Sequence, residues 1–158
     1  MDKVKFIQRA LELAASNVKE GKGGPFGAVV VKDGKIIAEG TNIVTSTNDP
    51  TAHAEIIAIR NACKQLGSFQ LKGCQIYASC EPCPMCIGAI YWARPDGVYF
   101  AATRYDAADA SFDDSFIYEE LKHEPEVRTI PMTKLLSGNK EAILPFNIWK
   151  QSPNKIKY

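Results

Sequence analysis

His53-Ala54-Glu55 and, twenty-seven residues further on, Pro82-Cys83-Pro84-Met85-Cys86 restrict what this chain can fold into more than anything else in it. One imidazole and two thiolates are zinc-ligand types, and three of them leave a fourth tetrahedral position open. For them to share one ion, the fold has to bring two segment starts together. Glu55 is two residues from His53, within reach of a water on the metal and the wrong donor for one more soft ligand, so it reads as a proton shuttle. A closed structural site competes with this reading. Cys80, Cys83 and Cys86 form Cys-x-x-Cys-x-x-Cys, and with His53 they make a Cys3His set with no open position. That set leaves Glu55 without a task, and Pro82 forces an extended or turning backbone before Cys83. The open site is the preferred reading.

Periodicity supplies the elements around these motifs. Ile7, Ala10, Leu11, Ala14 and Val18 recur at helical spacing and predict an amphipathic helix over the first twenty residues, ending at the glycines from Gly21 to Gly24. Residues 27–32 and 35–43 flank Asp33-Gly34, a dipeptide suited to a type I′ turn because both central residues need positive φ. They predict an antiparallel hairpin. Residues 44–51 are polar and read as a loop leading to a helix that begins near Ala52, with Ile56, Ile59 and Cys63 on one face. His53 and Glu55 then fall in its first turn, roughly 200° apart around the axis, so they share a metal only if the helix aims its N-terminus at it.

Residues 74–80 alternate as a strand. Pro84 suits the first position of the next helix, where its missing N–H costs nothing, which makes Cys83 the N-cap and Cys86 a first-turn residue. Orphan N–H groups and the helix dipole favour thiolates there. Further on, residues 98–102 and 127–130 read as strands, and residues 114–121 and the last thirty residues as helices. Strands alternating with helices after a hairpin predict an α/β fold, a mixed sheet covered on both faces.

With 158 residues the chain fits one domain, 1–158, that buries roughly 70% of the surface its unfolded form would expose. Nineteen basic residues against eighteen acidic ones give a net charge of +1, so no global field gathers polyanions and nucleic acid is not demanded as a partner. The N-terminus lacks the apolar run of a signal peptide, and no stretch is long enough to cross a bilayer. Five cysteines without a secretory signal suggest a reducing compartment where thiols are free for metal; a cytoplasmic location is expected.

Other residues have bland readings. Cys63 and Cys74 sit on apolar periodicities as small core residues. Residues 21–27, GKGGPFG, lack the terminal Gly-Lys-Ser/Thr of a phosphate-binding loop and read as a turn. Phe26 is core by default, or presents its ring to a flat base. Asn42 ends a strand where its amide offers a donor and an acceptor to a ligand, with a simple turn role equally open. One of Asp113 and Asp114 caps the helix that follows, leaving the other for a ligand. His123 is assigned no role.

The pair His53-x-Glu55 and Pro82-Cys83-x-x-Cys86 is the signature of zinc-dependent nucleobase deaminases. The chain resembles the cytidine deaminase superfamily and, within it, the bacterial guanine deaminases. Gly24-Pro25-Phe26-Gly27-Ala28, Asn42, residues 49–55, residues 111–118 and the stretch from Leu144-Pro145-Phe146 to Tyr158 carry the likeness. It implies a three-layer α/β/α fold around a five-stranded mixed sheet, one zinc per subunit on His53, Cys83 and Cys86, and hydrolysis of guanine to xanthine and ammonia with Glu55 moving the proton. It also implies that Asn42 and the backbone at Ala54 hold the base, that Phe26 and His53 sandwich it, and that Asp114 meets the exocyclic amine. The expected partner is a purine base, and the expected assembly a homodimer in which the segment from about 140 to 158 crosses between subunits and Tyr158 closes the pocket. A tRNA adenosine deaminase or another nucleobase or nucleoside deaminase of the same superfamily, and a non-catalytic zinc-stabilised interaction module, are the alternatives.

Overall fold

Asp33 and Gly34 take φ of 49° and 72°, the positive pair that a type I′ turn needs. They join β1 (Gly27–Lys32) to β2 (Lys35–Thr41) as an antiparallel hairpin. The structure, a computed structural model, describes residues 3–136, 138 and 140–158. It forms two compact units, Met1–Asp114 and Ser115–Tyr158.

In the first unit, β3 (Cys74–Cys80) pairs antiparallel with β1, and β4 (Gly97–Ala102) runs parallel to β3. The sheet order is β2-β1-β3-β4. Strands β1 and β3 occupy the centre, and their alternate residues enter two different cores. Val29, Val31 and Tyr77 pack with Phe6 of α1 (Val4–Lys19) on one face. Ala28, Val30, Ile76 and Ala78 pack on the other face with α3 (Ala54–Leu66) and with Ile90 and Ala93 of α4 (Pro84–Ala93). Helices thus cover both faces of the sheet. A short helix α2 (Val44–Thr47) occupies part of the expected loop, and α5 (Arg104–Asp109), capped reciprocally by Thr103 and Asp106, was not foreseen from periodicity.

The sheet has four strands among the described residues, not the expected five. Of residues 127–130, expected as a strand, Val127 instead closes a 3-10 turn, Pro125–Val127, and the other three follow it. Thr129 donates its N–H and its hydroxyl to the Glu120 carboxylate at 2.7 and 2.8 Å. A side chain thereby takes up a donor that a ladder would have used, and Val127 and Ile130 stay exposed. The second unit otherwise consists of α6 (Ser115–Glu120) and α7 (Lys140–Gln151). No helix among the described residues is long and apolar enough to cross a membrane.

Two helix faces differ from the periodicity reading, and both differences bear on function. In α1 the buried stripe is Phe6, Ala10, Ala14 and Asn17, while Leu11 and Val18 are exposed. In α3 the innermost stripe is Ala54, Ala58 and Ala62, spaced by four, with Ile59 and Cys63 partly buried at its flanks. Small residues let α3 lie close on β2, and Gly40 is where the approach is tightest. A Cβ there would sit 2.2 Å from the Ala54 carbonyl oxygen and 2.5 Å from the Ala58 nitrogen. Both are backbone atoms, so the helix itself would have to shift. Gly40→Ala is expected to destabilise the fold by about 1–3 kcal/mol, read as a lower midpoint in urea; an unchanged midpoint would show that α3 has room to move.

Candidate active site

Two helix starts converge. His53 is the N-cap of α3 with φ −70° and ψ 157°, and Cys83 is the N-cap of α4 with φ −70° and ψ 168°. Neither side chain caps its own helix, and each is left to point elsewhere. Pro84 occupies the first position of α4, as its locked φ and missing N–H favour, and Cys86 follows in the first turn. The helix expected from Ala52 begins at Ala54, which puts His53 outside it. Extended backbone at the N-cap removes the 200° separation from Glu55 that a shared helical turn would have imposed.

His53 Nδ1 lies 3.5 Å from Cys83 Sγ and 3.6 Å from Cys86 Sγ. The three ligand atoms fall within 4.8 Å of one another. In a tetrahedron with Zn–S of about 2.3 Å and Zn–N of about 2.05 Å the N···S edge is about 3.6 Å, so the donor set has the size and chemistry of a zinc site. Its electrostatics point the same way. The Cys83 thiol is pulled well below its ordinary range, to about 4, first by the hydrogen bond from Cys86 and then by His53. Cys86 is pushed up, first by that same bond to Cys83 and then by burial and the nearby carboxylate of Glu55. Two sulfurs this close hold one proton between them, and a divalent cation is what allows both to ionise.

Glu55 is buried, and its Oε2 accepts from the Cys86 thiol at 3.5 Å. Burial is the main cause of a carboxyl raised above its usual range, the direction that suits a group passing protons near neutrality. Cys80 stands apart from the ligand set. Its thiol donates to the Thr103 carbonyl at 3.4 Å, burial pushes it up to about 11, and it does not join the His53, Cys83 and Cys86 cluster. The closed Cys3His arrangement is therefore not formed.

Phe26 is half-buried and meets Phe112 edge-on, with ring centroids 5.0 Å apart. Asn42 is buried; its N–H donates to the Phe26 carbonyl at 3.2 Å and its Oδ1 accepts from the Val44 N–H at 3.3 Å. The Ile43 N–H then donates to the Ala52 carbonyl at 3.1 Å, which ties the end of β2 to the residue before His53. Ala54 is fully buried as the first residue of α3. The Asp114 carboxyl is pushed up by burial and then by the charge of Cys83. Tyr158 belongs to the second unit and is exposed there. Asn17 was missed by the sequence reading. The signal was present: a polar residue three positions after Ala14 and seven after Ala10, on the stripe that α1 buries.

Residues 1–102 match the family described as the cytidine and deoxycytidylate deaminase zinc-binding region. The chain is 58% identical over 153 residues to the guanine deaminase of Bacillus subtilis strain 168, covering 97% of each. The X-ray structure of guanine deaminase from Bacillus subtilis superposes with a TM-score of 0.96 at 57% identity, covering 100% of this chain and 99% of that one. A tRNA-specific adenosine deaminase of Aquifex aeolicus is 42% identical over 102 residues, 65% of this chain and 67% of its own.

Proposed function

Because the chain belongs to the cytidine and deoxycytidylate deaminase family, we propose that it is a zinc-dependent hydrolase that converts guanine and water to xanthine and ammonia. The observation that carries the choice of base is the end-to-end likeness to a guanine deaminase, where the likeness to the tRNA-specific enzyme covers only 65% of the chain. The reaction class rests on three ligands with one position open and a buried carboxylate beside it.

His53, Cys83 and Cys86 would hold the zinc, which when bound would supply a strong nucleophile at neutral pH by lowering the pKa of water from 15.7 to about 7. Glu55 accepts the proton of the attacking water and delivers it to the ring nitrogen beside the attacked carbon. Glu55 then takes the remaining proton of the added hydroxyl and passes it to the exocyclic amine; the carbon–nitrogen bond breaks, ammonia leaves and the carbonyl of xanthine forms. Asn42 has its Oδ1 engaged by Val44, so its Nδ2 is the donor that meets the base carbonyl. The Ala54 backbone meets the ring edge, Phe26 and His53 flank the ring, and Asp114 receives the exocyclic amine. A neutral base needs no basic groove, in keeping with a net charge of +1.

We read the chain as one catalytic unit, 1–158, that acts as a homodimer with its C-terminal segment exchanged and Tyr158 closing the pocket. Support comes from the resemblance and from Leu144, Phe146, Ile148 and Trp149, which stand exposed on α7 and call for cover. Five free cysteines fit a reducing, cytoplasmic setting. Ammonia release across a panel of free bases, nucleosides and a tRNA anticodon stem, with zinc content and light scattering on the same sample, tests the whole reading. Guanine is expected to be turned over by a dimer carrying one zinc per chain; turnover of the tRNA stem without guanine would sink it.

A further inference from the structure

We propose that Asn17 is a positioning residue for the base-binding wall: one amide on α1 fixes the loop that carries Phe26 against the strand end that carries Asn42, and so sets substrate affinity. The proposal rests on the reading that Phe26 and Asn42 contact the base.

Asn17 is only 2% exposed on a helix face otherwise made of Phe6 and alanines. Its Nδ2 donates to the Gly24 carbonyl at 2.9 Å and to the Asn42 carbonyl at 2.8 Å. The two N–H groups of one amide are thereby both used, one on each segment. Its Oδ1 has no hydrogen-bond partner among the described residues. Packing alone would be better served by an apolar residue, since an unsatisfied buried acceptor costs about 1–3 kcal/mol. What the position uses is the donor pair. The loop is also pressed against the same carbonyl, because a Cβ on Gly23 would lie 2.1 Å from the Asn42 oxygen. The Asn42 N–H then closes the ring of contacts on the Phe26 carbonyl.

Loop and strand end therefore hold a fixed spacing, and the side-chain hydrogen bonds of Asn17 go to Gly24 and Asn42, not to His53, Glu55, Cys83 or Cys86. Its loss should loosen the wall and spare the chemistry. In kinetic terms, uniform binding is removed, which raises KM and leaves kcat alone.

The test uses the full-length zinc-loaded protein and two variants, Asn17→Ala and Gly23→Ala. Wild-type turnover on the base panel comes first; should guanine fail and another base succeed, the guanine reading falls and the comparison is made on that base. For Asn17→Ala a rise in KM of about tenfold is expected, with kcat within about threefold and zinc content unchanged. A lower melting temperature with KM unchanged, or a fall in kcat at constant KM, would overturn the proposal. Where Asn17→Ala does not fold, Gly23→Ala decides, because it pushes the loop off Asn42 with α1 intact: a raised KM supports the proposal and an unchanged KM overturns it.

Discussion

Glu55→Gln is expected to lower kcat by roughly 10²–10⁴-fold while the protein keeps its zinc. The amide matches the carboxylate in size, so the buried space at the start of α3, 3.5 Å from Cys86 Sγ, stays filled. What disappears is the group that takes a proton from water and returns it to the base. The substitution also removes a negative charge that pushes Cys86 up, so the sulfurs ionise more readily and zinc affinity should not fall. Metal analysis and steady-state ammonia release on one preparation check both halves. Retained turnover would remove Glu55 from the chemistry, and lost zinc would show that it supports the ligands instead.

Cys86→Ala should give the opposite pattern, with zinc and activity lost together. Cys86 is fully buried in the first turn of α4 and supplies one of the three donor atoms, so its loss leaves only His53 and Cys83. Zinc bound only by the folded chain stabilises it by about 4 kcal/mol when present at 1,000 times its Kd. For a chain of this length that corresponds to a melting temperature about 10 °C higher. A chelator should therefore lower the melting temperature of the wild type and leave Cys86→Ala unmoved. A variant that still binds one zinc and responds to the chelator would mean that Cys80 or another donor completes the set. The geometry argues against this, since the Cys80 thiol is committed to the Thr103 carbonyl.

Much of the site was legible because its parts are local. Pro84 can begin a helix and cannot sit comfortably inside one, so Cys83 had to be an N-cap, and it is. Asp33-Gly34 had to turn with positive φ, and it does. What misled was periodicity applied to short helices. Leu11 and Val18 looked like core and are exposed, whereas Asn17, which is not on the expected stripe, is buried. A rotation of α1 by a fraction of a turn decides which residues face the sheet, and the contacts of Phe6 with Tyr77 set that rotation, their ring centroids 5.0 Å apart. The strand expected at 127–130 failed for a similar reason. Its composition suits a strand, but Glu120 claims the Thr129 donors nine residues away.

The sequence by itself determined the chemistry available: an imidazole, two thiols and a carboxylate at helix starts, in a pattern only a few reactions need. Such choices depend on residue type and on short-range backbone preferences, which act before anything folds. Only the tertiary structure decided which of three closely spaced cysteines join His53, how near α3 lies to β2 at Gly40, and that an asparagine on α1 holds Phe26 and Asn42 together. Those outcomes depend on contacts between residues far apart in the chain, where packing and the pairing of buried polar groups outweigh local preference.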